Sequence, residues 1–568
     1  MTDRLVVLRR VVLIGLAALT CRLADLQILR GGAFRRLADN NRLRMIPQAA
    51  PRGVILDREG RRLAASVTQY RVAVVPQDVT NRRATMKRLA PMVGLPPGEL
   101  DWKFDDDHSL PFMPATLVAD VAKHMALRVE QARVDLPGVV IEQCVTRAYP
   151  LGSVASSVLG YVGPPDPDAL PALKRYGVTP QEMVGRAGLE RSLDAYLRGQ
   201  AGGSLIEVNH VSRQVRVLGQ REPSAGQPVQ LTLDAKLQAL IEQQFQAADQ
   251  PGAAVVLQPQ TGEVLAMASY PSFDPGIFAT QDKEAIQRLF RDSRSPMMNR
   301  ATDGAYLPGS IMKPFVALAS LEQGVVTAGA VVTCHGFMQI GNRKFHCWNR
   351  DGHGPMTMRE ALRESCNVYF LDMGRRLGQD RLRAALAGVG IGRRTGWSLG
   401  EQPGWLPMRT RLMEGETAML AIGQGDILVT PVQAAVLAAS IANNGWIVEP
   451  WVVKSVGRQQ AGRPDLHPIG WSPANIQVVR DGMLAVVNHP QGTGSAARSE
   501  KVRVAGKTGT AQTHIPGKTH AWFIGFCPAD KPAIAMAILA EFGGTGGGFP
   551  AMTAKLICET LAPVASDR

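Results

Sequence analysis

The stretch YLPGSIMKPF, Tyr306 to Phe315, sets a serine and a lysine three positions apart between prolines and a glycine. Leu318, Leu321 and Val325 follow at helical intervals, so the segment reads as a loop that enters a helix near Ser310. Pro314 fits only near a helix start, where backbone N–H groups have no intrahelical partner and a missing donor costs little. Residues three apart share a helix face, which brings the Lys313 amine within reach of the Ser310 hydroxyl, beside unpaired N–H groups. That is a nucleophile, a base and an oxyanion site. Ser-x-x-Lys alone is short enough to arise by chance in a chain of this size, so its meaning depends on the rest of the sequence.

The chain has 568 residues, too many for one ordinary core, and two or more domains are expected. A formal charge of +14 is compatible with nucleic acid, an anionic membrane or an acidic polymer. Only 5% of residues are aromatic and no zinc-finger, KH or RNP signature is present, so no nucleic-acid partner is expected. At the N-terminus Arg4, Arg9 and Arg10 precede an apolar run from Val11 to Leu19. Counted from Leu5 to Leu29 the segment is long enough to span a bilayer, although Arg9, Arg10, Arg22 and Asp25 interrupt it. There is no small-x-small cleavage site, and Cys21 follows Thr20 rather than a small lipobox residue. Residues 1–30 therefore read as an uncleaved single-pass anchor in the inner (cytoplasmic) membrane, with a cytoplasmic N-terminus and the bulk of the chain periplasmic.

Beyond the anchor, APRGVILDREGRRLA (Ala50 to Ala64) offers a short strand at Val54–Leu56 and a turn at Arg58–Gly60. GLERSLDAYLRG (Gly188 to Gly199) reads as one amphipathic helix ending at a glycine, and REPSAGQP (Arg221 to Pro228) as a linker. Past it come a strand, a long helix and a hairpin over Gly252–Tyr270 that turns at Thr261-Gly262. Strand pairs at both ends of this second region with helices between them predict an α+β layered architecture. The expected boundaries are 1–30 for the anchor, 31–220 for a non-catalytic region and 221–568 for the catalytic domain.

Two further short motifs lie downstream: Ser365-Cys366-Asn367 within ESCNVYF, and Lys507-Thr508-Gly509-Thr510 within VAGKTGTAQ. Gly506-Lys507-Thr508 also looks like the tail of a phosphate loop, but that pattern needs a glycine where Lys501 stands. The ordered trio Ser-x-x-Lys, Ser-x-Asn, Lys-Thr-Gly resembles the active site of penicillin-binding proteins and serine β-lactamases, and the match extends from Val229 to about Cys558.

The chemistry of each residue fits that resemblance. Ser310 would attack the carbonyl of a D-Ala-D-Ala stem peptide, with Lys313 as the base that removes its proton. Lys313 must then be neutral at least transiently, which burial and a second cation at Lys507 both favour. Ser365 could relay the proton to the leaving amine, while Asn367 offers an amide to the substrate backbone and a hold on Lys313. Lys507, Thr508 and Thr510 suit a terminal carboxylate, and Gly509 allows close approach of the strand. The resemblance implies an oxyanion hole from the Ser310 and Thr510 N–H groups. It also implies that β-lactams are covalent inhibitors acylating Ser310.

A soluble β-lactamase needs neither the anchor nor about 200 residues ahead of the catalytic domain, and nothing before residue 220 resembles a class A glycosyltransferase domain. PRGVILDREGRRLA, GRAGLERSLDAYLRG, IGQGDILVTPVQ (Ile422 to Gln433) and HAWFIGFCP (His520 to Pro528) resemble the class B, monofunctional transpeptidases of the elongation type. That resemblance implies a pedestal (dimerisation-like) domain at 31–220, a polytopic membrane glycosyltransferase of the shape and division family as partner, further elongation-complex proteins, and peptidoglycan stem peptides as substrate. The alternatives are a division-type transpeptidase and a non-enzymatic β-lactam sensor or scaffold. A sensor should carry additional spans or a cytoplasmic domain, and a dead scaffold should have lost Ser310 or Lys313; neither description fits this sequence.

Three of seven cysteines fall between residues 334 and 366. Cys334, Cys347, His353 and Cys366 form a Cys3His set suited to a structural zinc, with Cys366 inside the Ser-x-Asn motif itself. The competing expectation is a disulfide between Cys334 and Cys347 across a hairpin turning at Gly341-Asn342. No cofactor is expected for the chemistry itself.

Overall fold

The computed structural model describes residues 2–30, 32, 43–106, 113–174, 182–209, 214–408, 411–513 and 515–561. They fall into two units: residues 1–53, 66–146 and 198–226 form the first, and residues 54–65, 147–197 and 227–568 the second.

In the first unit, Leu43–Gln48, Gly202–Val208 and Gln214–Arg221 make a three-stranded antiparallel sheet. Most of the long strand Arg62–Val74 belongs here and pairs with Ala115–Val121. Val72, Val74, Leu89, Leu117 and Val129 build the core between these strands and the helices Arg82–Val93 and Lys123–Gln131. The N-terminal helix Thr2–Ala24 runs on as a π-helical turn to Leu29. Among the described residues no helix is long and apolar enough to cross a membrane.

The second unit is built on a five-stranded antiparallel sheet: β1 Gly252–Leu257, β2 Val264–Tyr270, β3 Ala505–Gln512, β4 Thr519–Cys527 and β5 Ile534–Ala540, in the order β2-β1-β5-β4-β3. Strand side chains alternate between faces, so Ala253, Val255 and Leu257 join one core while Ala254 and Val256 join a second. With both faces covered, the strands are apolar runs such as Ile534–Ala540, in which every residue is buried. Helices α1 Ala235–Ala247 and α8 Phe549–Leu561 contribute Leu237, Ile241, Phe245 and Ile557 to the second core. The first core receives α2 Lys313–Glu322, α3 Met358–Arg363, α4 Asn367–Gly388, α5 Glu414–Ala421, α6 Pro431–Ala442 and α7 Pro473–Asn488. β3, which carries Lys507 to Thr510, is an edge strand.

The expected hairpin at Thr261-Gly262 is present, its turn closed by the Gly262 N–H on the Gln258 carbonyl. The single helix expected over Gly188–Gly199 is instead two short ones, Gly188–Ser192 and Asp194–Leu197. Tertiary partners outweigh the periodicity there: buried Glu190 pairs with Arg147 at 2.6 Å, and the Asp194 carboxylate accepts the Gly185 N–H. The turn at Arg58–Gly60 is organised by Asp57, which is fully buried. Its carboxylate accepts the N–H groups of Glu59 and Arg61, the Arg61 guanidinium and the Ala235 N–H at the start of α1.

Candidate active site

Ser310 lies in a 3-10 turn, Gly309–Met312, that leads directly into α2 at Lys313, with Pro314 in the first helical turn. Gly309 has φ +57°, and a Cβ there would stand 2.7 Å from the Thr510 carbonyl oxygen. Only glycine lets the nucleophile turn pack this closely on β3. The space a side chain at Gly509 would need is likewise taken by this turn, by Ile311 and the Pro308 carbonyl, together with Trp522. Further bonds fix the same contact: Gly309 N–H to the Gly423 carbonyl (2.8 Å), the Gln424 amide to the Thr510 carbonyl (3.4 Å) and the Trp522 indole to the Leu307 carbonyl (3.0 Å).

Ser365 joins two helices. A capping box of Thr357 and Glu360 starts α3, Ser365 then takes a left-handed φ of 54°, and Cys366 caps α4 through the Tyr369 N–H. The break turns the Ser365 hydroxyl toward two lysines. Lys313 donates to the Ser365 carbonyl (2.7 Å), the Ser365 hydroxyl (3.2 Å) and Asn367 Oδ1 (2.8 Å). From the other side Lys507 donates to the same hydroxyl at 2.9 Å and to the Thr508 carbonyl at 2.8 Å. Both amines are on fully buried side chains. Burial pushes Lys313 down to about 8, partly offset by the nearby Cys366 and Cys347 sulfurs. Burial, with the charge of Lys313, pushes Lys507 well below its ordinary value.

Ser310, Ser365, Asn367, Thr508 and Thr510 all line one cleft of about 1170 Å3. The Lys313 amine, on a fully buried side chain, is bonded to Ser365 and Asn367. Three residues of this site were not singled out by sequence reading: Thr493, Gln424 and Trp522. Thr493 sits between two glycines, in Gly492-Thr493-Gly494, and Gln424 between Gly423 and Gly425. Only this glycine punctuation signals a close backbone approach.

Cys334, Cys347, His353 and Cys366 converge, with one ligand atom from each lying within 4.8 Å of all the others. Three local devices bring them together: the ladder pairing Cys334 with Gly354, the hairpin Phe337–His346, and the cap of α4. Tetrahedral zinc bound by sulfur and nitrogen separates its ligands by roughly 3.5–3.8 Å, and Cys347 Sγ to His353 Nδ1 is 3.6 Å. The other ring nitrogen, Nε2, is buried without a hydrogen-bond partner and faces Glu364 at 3.9 Å. A carboxylate there is the usual outer partner of a metal-bound imidazole. The donor set fits zinc. The Cys366 thiol, donating to Cys347, drives the Cys347 thiol down to about 4 and is itself driven up. The Asn367 N–H also donates to Cys347 Sγ (3.3 Å), which ties the cluster to the Ser-x-Asn motif.

The Cys334–Cys347 disulfide is corrected by this geometry: both are free thiols. The hairpin does turn at Gly341-Asn342, but Cys334 lies on a separate ladder and its sulfur faces the shared centre. The bond that does form joins Cys527, at the end of β4, to Cys558 in α8.

A buried pair of lysines sharing one serine hydroxyl, beside a second serine at a helix start, defines a serine acyltransferase of the penicillin-recognising class. Residues 252–558 match the penicillin binding protein transpeptidase domain, and residues 47–231 the penicillin-binding protein dimerisation domain. The chain belongs to the penicillin-binding protein transpeptidase family. It is 32% identical to the peptidoglycan D,D-transpeptidase MrdA of Acinetobacter baumannii, over 94% of this chain and 84% of that one. Among solved structures, PBP2 of Helicobacter pylori in complex with MreC superposes with a TM-score of 0.78 at 28% identity, covering 91% of this chain and 99% of that one. A chain of a peptidoglycan synthase complex gives 0.75 at 31% identity, with 100% of both chains covered.

Proposed function

We propose that this protein is a peptidoglycan D,D-transpeptidase that cross-links stem peptides during cell-wall elongation. The observation that carries the reading is the convergence of Lys313 and Lys507 on the Ser365 hydroxyl in the cleft lined by Ser310.

Ser310 attacks the penultimate D-Ala carbonyl, and its proton passes to neutral Lys313. The Ser310 and Thr510 N–H groups hold the oxyanion. Ser365, between the two amines, hands a proton to the departing D-Ala nitrogen as the peptide bond breaks. The amine of a neighbouring stem peptide then attacks the acyl-enzyme, forms the cross-link and frees Ser310. Water in place of that amine gives a residual carboxypeptidase activity. Asn367 spends its oxygen on Lys313 and one N–H on the His346 carbonyl, leaving the other for the substrate backbone. Thr508 and Thr510, two residues apart on β3, share the strand face that meets the substrate carboxylate. β-Lactams acylate Ser310 and stall there.

We assign residues 221–568 to the catalytic domain and 31–220 to the pedestal, of which 54–65 and 147–197 belong to the second unit. The N-terminal segment is the membrane anchor, supported by uninterrupted helix from Thr2 to Leu29 and by apolar side chains such as Val11, Ile14 and Leu19, all more than half exposed. The likeness to chains solved with MreC and in a synthase complex supports a partner of the elongation machinery and a membrane glycosyltransferase. Zinc, held by Cys334, Cys347, His353 and Cys366, braces the loop carrying Ser365 and Asn367.

Intact-mass analysis after incubation with a fluorescent penicillin, followed by peptide mapping, tests the reading. An adduct on Ser310 that disappears in Ser310→Ala is expected. Labelling that persists in Ser310→Ala would overturn the nucleophile assignment.

A further inference from the structure

The hydroxyls of Thr493 and Thr508 stand 2.7 Å apart, and both residues line the cleft. Thr508 is 6% exposed and its hydroxyl carries a single proton. A carboxylate accepts only. For Thr508 to donate to a substrate carboxylate it must accept from Thr493, so the direction of the Thr493 proton decides whether Thr508 is available. The Lys507 amine spends two of its N–H groups on Ser365 and the Thr508 carbonyl, which leaves at most one for the carboxylate.

We propose that Thr493 is a positioning residue for the donor carboxylate, aiming the Thr508 proton into the cleft. The proposal rests on the transpeptidase reading. The Thr493 backbone is held independently of its hydroxyl: its N–H donates to the Arg363 carbonyl (3.3 Å), at the end of α3, and the next N–H, of Gly494, donates to Val486 (2.9 Å) in α7. Gly547 packs so closely that a Cβ there would stand 2.6 Å from the Thr493 carbonyl oxygen. Thr493→Val therefore removes the proton while keeping shape and backbone contacts. Because Arg363 lies two residues before Ser365, the Thr493 segment also ties the Ser-x-Asn loop to β3.

The test measures second-order acylation of the full chain by benzylpenicillin and by its methyl ester, which lacks the carboxylate. Thr493→Val should lower the acid-to-ester preference by about 2- to 10-fold, the usual effect of losing a neutral hydrogen bond, here the one that aims the Thr508 proton. The loss should appear in the affinity for the acid rather than in acylation at saturation. Thr493→Ser, which restores the proton, should recover most of the preference. An equal slowing of acid and ester in Thr493→Val, or no rescue by serine, would reduce Thr493 to a packing role and overturn the proposal. Equal acylation of acid and ester by the unaltered chain would remove the carboxylate reading of Thr508, and the proposal with it. No adduct on Ser310 with either compound would instead remove the transpeptidase reading beneath it.

Discussion

The Lys507 amine donates a 2.9 Å hydrogen bond to the hydroxyl of Ser365, 142 positions away in the chain. Lys313 approaches the same hydroxyl from the other side at 3.2 Å. Two fully buried cations on one neutral group cannot both hold their charge cheaply, which is why burial drives both amines toward the neutral form. Ser365→Ala removes the group they share and should slow acylation by about 10^2- to 10^4-fold, the range of a lost proton-transfer partner. A rate within a fewfold of the unaltered chain would refute the relay.

The pH dependence follows from the same pair. A base works deprotonated, so with Lys313 at about 8 acylation should rise with pH through about 8 and then level off. Stability moves in the same direction. The folded value lies below the ordinary 10.5, so the unfolded chain binds more protons between the two, and stability should climb over that window as burying the amines ceases to expel a proton. Acylation rates and chemical denaturation across pH 6 to 10 check both; a flat rate profile through 8 contradicts the base assignment.

Gly309→Ala should strain the nucleophile turn. Its φ of +57° disfavours alanine, and the added Cβ would meet the Thr510 carbonyl oxygen at 2.7 Å. The expected cost is about 1–3 kcal/mol of stability together with a marked fall in acylation, because Ser310 moves relative to β3. Urea unfolding and penicillin labelling measure the two effects separately.

Elemental analysis of the purified chain should find about one zinc per molecule, lost in Cys347→Ser. Stripping the metal with a strong chelator should lower the melting temperature and expose the segment around Ser365 to hydrogen exchange. Metal at background level in protein purified without chelator would contradict the Cys3His reading.

Reduction of Cys527–Cys558, or the double alanine variant, frees a link between residues 31 positions apart, and loop-closure entropy puts the loss at about 3–4 kcal/mol. Since Cys558 packs in the second core beside Ile557 and the β4 cysteine, fraying should begin at α8. Denaturant melts with and without reductant provide the comparison; coincident curves would show that packing alone holds the helix.

The elements legible in the sequence are those whose causes are local. Pro314 and the apolar spacing beyond it mark the start of α2; Thr261-Gly262 marks a hairpin; the three short motifs name their own residues. The cysteine and histidine set was visible as a composition, although its ladders and its separation from a disulfide were not. Where tertiary partners compete with periodicity, sequence reading failed, as in the break at Leu193 imposed around the buried Arg147–Glu190 pair. Cys527 and Cys558 carried no signal of their pairing, because nothing local places the end of a strand against a helix 31 residues later.

The sequence by itself named the side chains proposed to carry the chemistry, because nucleophile, base and amide are properties of residue types in short motifs. The tertiary structure decided that Lys313 and Lys507 meet at Ser365, and that Thr493 bonds to Thr508. Those relationships join segments up to 142 residues apart, and only close packing of β3, α2 and the α3–α4 junction fixes distances of this order.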